Sequence, residues 1–360
     1  MEEIYVDNDD ALRAYLVSIA ADTVLAVDTE FVREKTYFPQ LCLLQIATAR
    51  TIVCIDCLAI DLQMLLDRLL REDCTWIVHS SRQDLEVIHQ GAARLPAHLI
   101  DTQVAAGIVG YAAQIGLQDL LADVLGVRLD KEYTRTDWSM RPLPEAALAY
   151  ARDDVRSLLA LWGALAERLD ALGRRKWVEQ DCALLLQQDP VAPLEQIWSR
   201  LKGLRGLDDA GRAAALALLA WREERARSRN RPRRWVLADE QLVALAKARP
   251  ESLVELRKME DLPPRLLQRA GAELLDALAA GASAAMRERA AAAAAPEAPD
   301  KQQLREMQAR VKTLAAKLGI QAEVLATKQE IVDLLVGRTA PRVAATWRGA
   351  LLRDLVVAEV

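Results

Sequence analysis

Three apolar segments crowded near the N-terminus constrain the fold of this chain more than any other feature: "TVLAVDTEF" (23–31), "LCLLQIAT" (41–48) and "TIVCID" (51–56). Each is short, aliphatic and bounded by charged or turn-forming residues, which is the pattern of strands and not of helices. "LQMLLDRLLRE" (62–72) then switches to helical periodicity, "TWIVHS" (75–80) returns to a strand, and a helix begins near Ser81. Alternation of this kind implies an α/β domain. From about residue 145 helical patterns take over, in keeping with the abundance of Leu, Ala and Arg. The periodicity breaks at "QQDPVAP" (187–193) and again where six alanines, 290–295, run into "PEAPD".

A chain of 360 residues has room for two or three domains. No run approaches the ~20 apolar residues of a membrane span, so no membrane association is expected. The acidic opening "MEEIYVDNDD" lacks the apolar core of an export signal. Five cysteines without framework spacing suit a reducing compartment, and a cytoplasmic location is expected. "CIDC" (54–57) has no second Cys or His pair at ligand spacing and reads as packing. No phosphate-binding loop is present, because the glycine spacings lack a following Lys-Ser/Thr. The net charge of −5 conceals an asymmetry: residues 1–190 carry 18 Lys/Arg against 30 Asp/Glu, and residues 191–360 carry 29 against 22. A basic half can meet a polyanion, although unrelated surfaces on separate domains give the same pattern.

Asp28 and Glu30 end the first apolar segment. In a strand, residues i and i+2 share a face, so the two carboxylates project side by side. An exposed strand end is the plain explanation; a divalent-cation site is the sharper one, and it needs more acids. Asp84 lies in the first turns of the helix after "WIVHSS". In "LAYARDDVRSLLALW" (148–162), Tyr150 and Asp154 are four apart and therefore neighbours on a helix. At ~100° per residue, Val155, Leu158, Leu159 and Trp162 mark the core direction, with Asp153 roughly 170° from it and Asp154 about 90°. Asp154, within ~40° of Tyr150, is therefore the one placed to meet the strand acids. Four carboxylates can hold two hard cations such as Mg²⁺ or Mn²⁺. Such a pair stabilises both the attacking and the leaving oxygen of a phosphodiester displacement. A tyrosine, with a pKa of ~10, is better suited to orienting the attacking water than to deprotonating it.

"DTEF" (28–31), "HSSRQDL" (79–85) and "YARDD" (150–154) resemble the three exonuclease motifs of the DEDD superfamily of 3′→5′ exonucleases, in its tyrosine subclass. "LAVDTEFVREKTYFPQLCLLQIA", "LIDTQVAAGIVG" and "LDKEYTRTDWSMRPL" are similar to bacterial ribonuclease D, so the resemblance covers most of residues 1–175. It implies a ribonuclease H-like fold, two divalent metal ions and release of nucleoside 5′-monophosphates from RNA 3′ ends, with tRNA precursors as substrates. By this resemblance Asp28, Glu30, Asp84 and Asp154 are the metal ligands and Tyr150 orients the water. Phe31 and His79 are candidates for substrate contact, with packing and structural hydrogen bonding as their alternatives. A DNA exonuclease and a catalytically silent RNA-binding scaffold are the rival readings. The four acids do not themselves read a 2′-hydroxyl, whereas a pure binder has no use for clustered carboxylates.

The basic half contains "WREERARSRNRPRRW", with seven arginines and two glutamates from Arg222 to Arg234. Such density at a helix–loop junction suits phosphate contacts, and Arg225, Arg227, Arg229, Arg231, Arg233 and Arg234 form the candidate RNA patch. This region resembles the helicase-and-RNase-D C-terminal (HRDC) domain. The expected organisation is an α/β ribonuclease H-like exonuclease domain (1–186), a linker (187–206), an all-α HRDC-like domain (207–285), an Ala/Pro linker (286–300) and a second, degenerate HRDC-like domain (301–360). No protein partner is expected.

Overall fold

The computed structural model describes residues 1–129, 136–189, 193–293 and 299–357. Part of the motif "LDKEYTRTDWSMRPL", residues 130–135, therefore lies outside the described residues, as do 190–192 and 294–298 of the expected linkers. The chain divides into two compact units, and one of them comprises residues 1–32, 40–189 and 299–357. This unit opens with β1 (Glu2–Val6), α1 (Asp9–Ser18), β2 (Val24–Val32), β3 (Gln40–Ala47), β4 (Thr51–Asp56), α2 (Leu62–Leu69), β5 (Thr75–Val78), α3 (Arg82–Ala92) and β6 (His98–Asp101). It continues through α4 (Thr102–Val109), α5 (Leu117–Leu125), α6 (Glu145–Arg156), α7 (Leu158–Ala171) and α8 (Arg175–Gln187).

The strands form one mixed sheet in the order β1-β4-β3-β2-β5-β6, in which β3 runs antiparallel to β2 and β4 and the other pairs are parallel. Alternation along the strands sends Leu25, Val27, Leu44 and Ile46 to one face, where they pack with residues of α1, α2 and α3. The opposite face carries Ala26, Asp28, Glu30 and their cross-strand partners Leu43, Gln45 and Ala47, and it meets the helices that follow β6. Local signals match the ends: Asn8 caps α1 through the Ala11 amide, and Asp61 caps α2 through that of Gln63. β1, α1 and β6 stand beside the strands and helices expected above; β1 and β6 are short and carry polar residues at their ends.

One irregularity falls at the functional end of the sheet. Pairing between β2 and β3 steps from Glu30–Leu43 to Phe31–Leu41, which leaves Cys42 as an extra residue. The Cys42 carbonyl accepts from the Arg141 guanidinium at 2.9 Å and from the Cys57 amide at 3.2 Å. Arg141 also grips buried Asp56 through both carboxylate oxygens. Cys54 and Cys57 are buried, with burial pushing the Cys54 thiol up to about 12.

Residues 299–357 contribute α16 (Lys301–Leu318), α17 (Ala322–Leu325), α18 (Lys328–Leu335), α19 (Pro341–Ala344) and α20 (Arg348–Val357), the α9–α15 labels being those of the other unit below. They share one apolar cluster with α4, α7 and α8, including Met307, Val311 and Ala315. Gly110 approaches this segment so closely that a Cβ there would stand 2.6 Å from the Gly319 carbonyl oxygen. Trp177 and Trp347 stack at 4.0 Å, and Arg348 makes a buried two-point ion pair with Asp181. The final helices therefore complete the core of the unit that contains the sheet.

The second unit, Arg33–Pro39 with residues 193–293, is helical: α9 (Leu194–Arg200), α10 (Asp209–Ser228), α11 (Arg233–Val236), α12 (Asp239–Ala248), α13 (Leu253–Arg257), α14 (Pro264–Gly281) and α15 (Ala284–Ala293). α10 is its central helix, capped by Asp208 and packed by Ala213, Leu216 and Leu219. Residues 187–206, expected to be a linker, include α9, whose Trp198 is buried in this core. A helix there was hidden from the sequence by its short length and by the prolines before it. Among the described residues no helix is long and apolar enough to cross a membrane.

Candidate active site

Asp28 and Glu30 share a face of β2, and α6 lies across that face, presenting Asp154. One carboxylate oxygen from each of the three lies within 4.8 Å of the others. Like charges so close, and partly withdrawn from water, disfavour ionisation. Burial, reinforced by Asp28, Asp154 and Asp84, pushes Glu30 up to about 9. Burial with the neighbouring Asp28 pushes Asp154 up to about 8, and burial raises Asp28 to about 6. The donors are all carboxylate oxygens, which suits a hard divalent cation, and the unfavourable charge is what such a cation relieves.

Asp84 arrives from the other side of the sheet. β5 pairs with β2 only over Val24–Ala26, so Thr29 and Glu30 stand beyond its end, where the chain turns into α3. Asp84 sits in the first turn of α3, and Thr29 Oγ1 donates to its carboxylate at 2.5 Å. Burial and the charge of Asp28 hold Asp84 well above the usual carboxylate range. Asp84 thus stands outside the three carboxylates that lie within 4.8 Å of one another, and its charge reaches Asp28 and Glu30 from the other side of the sheet.

Tyr150 lies one turn before Asp154 on α6, where its hydroxyl favours the charged form of that carboxylate against the effect of burial. Burial and the surrounding acids raise the Tyr150 hydroxyl above its ordinary range, so it remains protonated. Its ring lies 6.4 Å from that of buried Trp138, in the segment that Arg141 holds through the Trp138 carbonyl at 2.8 Å. Asp153 points elsewhere, pairing with Arg156 at 2.9 Å.

Residues 4–170 match the 3′-5′ exonuclease family and residues 212–278 the HRDC domain family. The chain is similar to ribonuclease D of Acidiphilium cryptum, 39% identical over 264 residues that cover 71% of this chain and 67% of the relative. It is also similar to ribonuclease D of Xanthomonas oryzae pv. oryzae, 34% identical over 336 residues and 92% of each chain. The chain belongs to the ribonuclease D family of 3′→5′ exoribonucleases. Its fold superposes on the crystal structure of Escherichia coli RNase D, described as an exoribonuclease involved in structured RNA processing, with a TM-score of 0.84, 29% identity and coverage of 99% and 98%.

Several residues that shape this ribonuclease D site went unremarked in the sequence. The buried Asp101 carboxylate accepts from the Ser80, Ser81 and Gln103 amides at 3.0, 2.8 and 2.9 Å, fixing the turn that leads to Asp84. An aspartate immediately before a helix, in "LIDTQ", is its only local signal. Gln45, the cross-strand partner of Asp28, is fully buried, and its amide meets no partner among the described residues.

His79 is half-buried, with Nε2 at 3.0 Å from the Ile115 carbonyl and Nδ1 at 2.9 Å from the Thr102 hydroxyl. A carbonyl only accepts, so Nε2 carries a proton, while Nδ1 meets the Thr102 hydroxyl, which itself donates to the Val78 carbonyl at 2.9 Å; both nitrogens serve the fold. Phe31 is half-buried beside the irregular pairing and belongs to none of the apolar clusters of the described residues.

The arginine run divides into two sets. Arg225 pairs with Glu273, and Arg233 binds Glu223 at 2.7 Å and the Tyr37 hydroxyl at 3.1 Å. Arg227 lies over the Tyr37 ring at 5.9 Å. Arg229 and Arg231 have no ion pair among the described residues, and Arg234 meets Glu240 only at 3.3 Å on an exposed surface. Together with Trp235, Arg265 and Arg269 they line an open groove of about 690 Å³.

Proposed function

We propose that Asp28, Glu30, Asp84 and Asp154 hold two divalent cations, Mg²⁺ or Mn²⁺, and that the chain removes nucleoside 5′-monophosphates from the 3′ ends of structured RNA such as tRNA precursors in the cytoplasm. The observation that carries this reading is the convergence of three carboxylates within 4.8 Å, with Tyr150 one helical turn from one of them. When bound, the cations would supply an activated water and stabilise charge on the attacking and leaving oxygens. Tyr150 stays protonated beside Asp154 and offers its lone pairs to a water, which it thereby orients. Phe31, beside the acids and outside the apolar clusters, is suited to contact the terminal nucleotide. His79 supports the site by bracing the end of β5.

The RNA-contact surface falls on Arg229, Arg231 and Arg234, joined by Arg265 and Arg269, because these side chains line the groove with no ion pair among the described residues or, for Arg234, only an exposed one to Glu240. Arg225 and Arg233 are spent on ion pairs within the fold. The helices of 299–357 are read as a second, degenerate HRDC-like module whose core has merged with that of the nuclease. The test is incubation of 3′-labelled RNA and DNA of matched sequence with Mg²⁺, with Mn²⁺ and with chelator. Stepwise, cation-dependent shortening of the RNA is expected. Full activity in excess chelator overturns the two-cation reading, and an equal or faster attack on DNA overturns the RNA assignment.

A further inference from the structure

The residue between the two strand acids faces away from them. Thr29 projects to the α3 side of the sheet, beside Val27 and Leu44, and it is buried. From there its hydroxyl donates to one oxygen of the Asp84 carboxylate at 2.5 Å, across 55 residues of sequence. A threonine hydroxyl carries one proton, and given to Asp84 it fixes which oxygen is occupied and which has its lone pairs free. The β-branched side chain has restricted χ1 freedom, so the donor is held in place by the strand itself.

From this geometry we infer that Thr29 is a positioning residue for the cation site: its hydroxyl orients the Asp84 carboxylate so that only the free oxygen is presented to the cations. The inference rests on Asp84 being a ligand, as proposed above. A single strand triplet then controls the site from both faces, with Asp28 and Glu30 as ligands on one side and Thr29 steering a third ligand on the other. Groups that orient metal ligands typically contribute ~10–100-fold to metal affinity, and a loss in that range is expected on removing the hydroxyl.

The test is calorimetric titration of the full chain with Mn²⁺, without substrate. Thr29→Val keeps the shape and removes the donor, and Thr29→Ala serves if the valine variant does not fold. Either should weaken Mn²⁺ binding by ~10–100-fold, whereas Thr29→Ser should restore most of the affinity. In an Asp84→Asn background, Thr29→Val should cost nothing further, because the group it acts through is already altered. Wild-type affinity in Thr29→Val beside weakened binding in Asp84→Asn overturns this inference alone. An equal loss with and without Asp84 also overturns it, since Thr29 would then act by another route. Wild-type affinity in Asp84→Asn overturns the ligand reading itself and the inference with it.

Discussion

Asp153 and Asp154 are adjacent in sequence and face different surroundings. Asp154 joins the Asp28–Glu30 cluster, while Asp153 pairs with Arg156. Asp154→Asn should therefore lose a ligand and with it several kcal/mol of transition-state stabilisation, on the order of 10³-fold in kcat. Asp153→Asn gives up a partly exposed ion pair worth ~0–1 kcal/mol of stability, and its turnover should stay near wild type. Tyr150→Phe should fall between them, losing ~10²-fold in kcat through misalignment of the water while binding Mn²⁺ normally. Steady-state rates on a short labelled RNA, with Mn²⁺ affinity measured in parallel, decide the order. A dead Asp153 variant beside an active Asp154 variant would reverse the assignment. This pair was legible in sequence because helix phase is a local property. Thr29, Asp101 and Arg141 were not, since each matters through a partner 20 to 85 residues away that no local pattern reveals.

At the scale of elements, the connection from β5 into α3 is what brings Asp84 to the sheet. Its conformation is imposed by Asp101, at the end of the neighbouring strand β6, which gathers the amides of Ser80 and Ser81 and caps α4. Ser80 adopts a positive φ of 64°, which a serine holds only when neighbouring structure over-determines it. Asp101→Ala would leave three amides without their acceptor, one of them in a buried residue. A loss of about 2–4 kcal/mol in urea unfolding is expected, together with weaker Mn²⁺ binding because Asp84 loses its approach. Unchanged stability would show that water replaces the carboxylate. β2 to β5 could be read from alternation and apolar runs, as could α2 and α3. α9 could not, because a seven-residue helix behind two prolines looks like a linker until Trp198 finds its core. The irregular pairing at Cys42 was equally hidden, since register depends on both strands at once.

For the whole molecule, two properties follow from how charge is distributed. The free arginines of the HRDC-containing unit should dominate the salt dependence of binding to long RNA. Replacing Arg229, Arg231, Arg265 and Arg269 with Ala should lower the slope of log K against log salt by up to ~0.7 per lost phosphate contact, and short oligonucleotides should still be cleaved. Equal losses on long and short substrates would show that the groove acts through stability instead. The second property is a reversal of the pH dependence of stability by cations. Asp28, Glu30 and Asp154 are raised to about 6, 9 and 8 in the cation-free fold. In the unfolded chain such groups titrate near ~4. Between about pH 4 and pH 9 the folded state therefore holds protons that the unfolded state has lost, and stability must fall as pH rises through that window. Each proton retained only by the folded state contributes a slope of up to ~1.4 kcal/mol per pH unit. In chelator the thermal midpoint should accordingly be lower at pH 8.5 than at pH 6, two values chosen at roughly the ends of the Asp28–Glu30 range. Cations bind the deprotonated site, so their affinity increases with pH and the midpoint gain from saturating Mg²⁺ should be larger at the higher pH. Glu30→Gln supplies the internal control: it removes one of the strongly raised carboxyls, so the chelated variant should show a shallower decline while gaining less from Mg²⁺. A chelated wild type that is as stable at the higher pH as at the lower would mean that the acids are already compensated within the protein, and that the cluster is not held in wait for a cation.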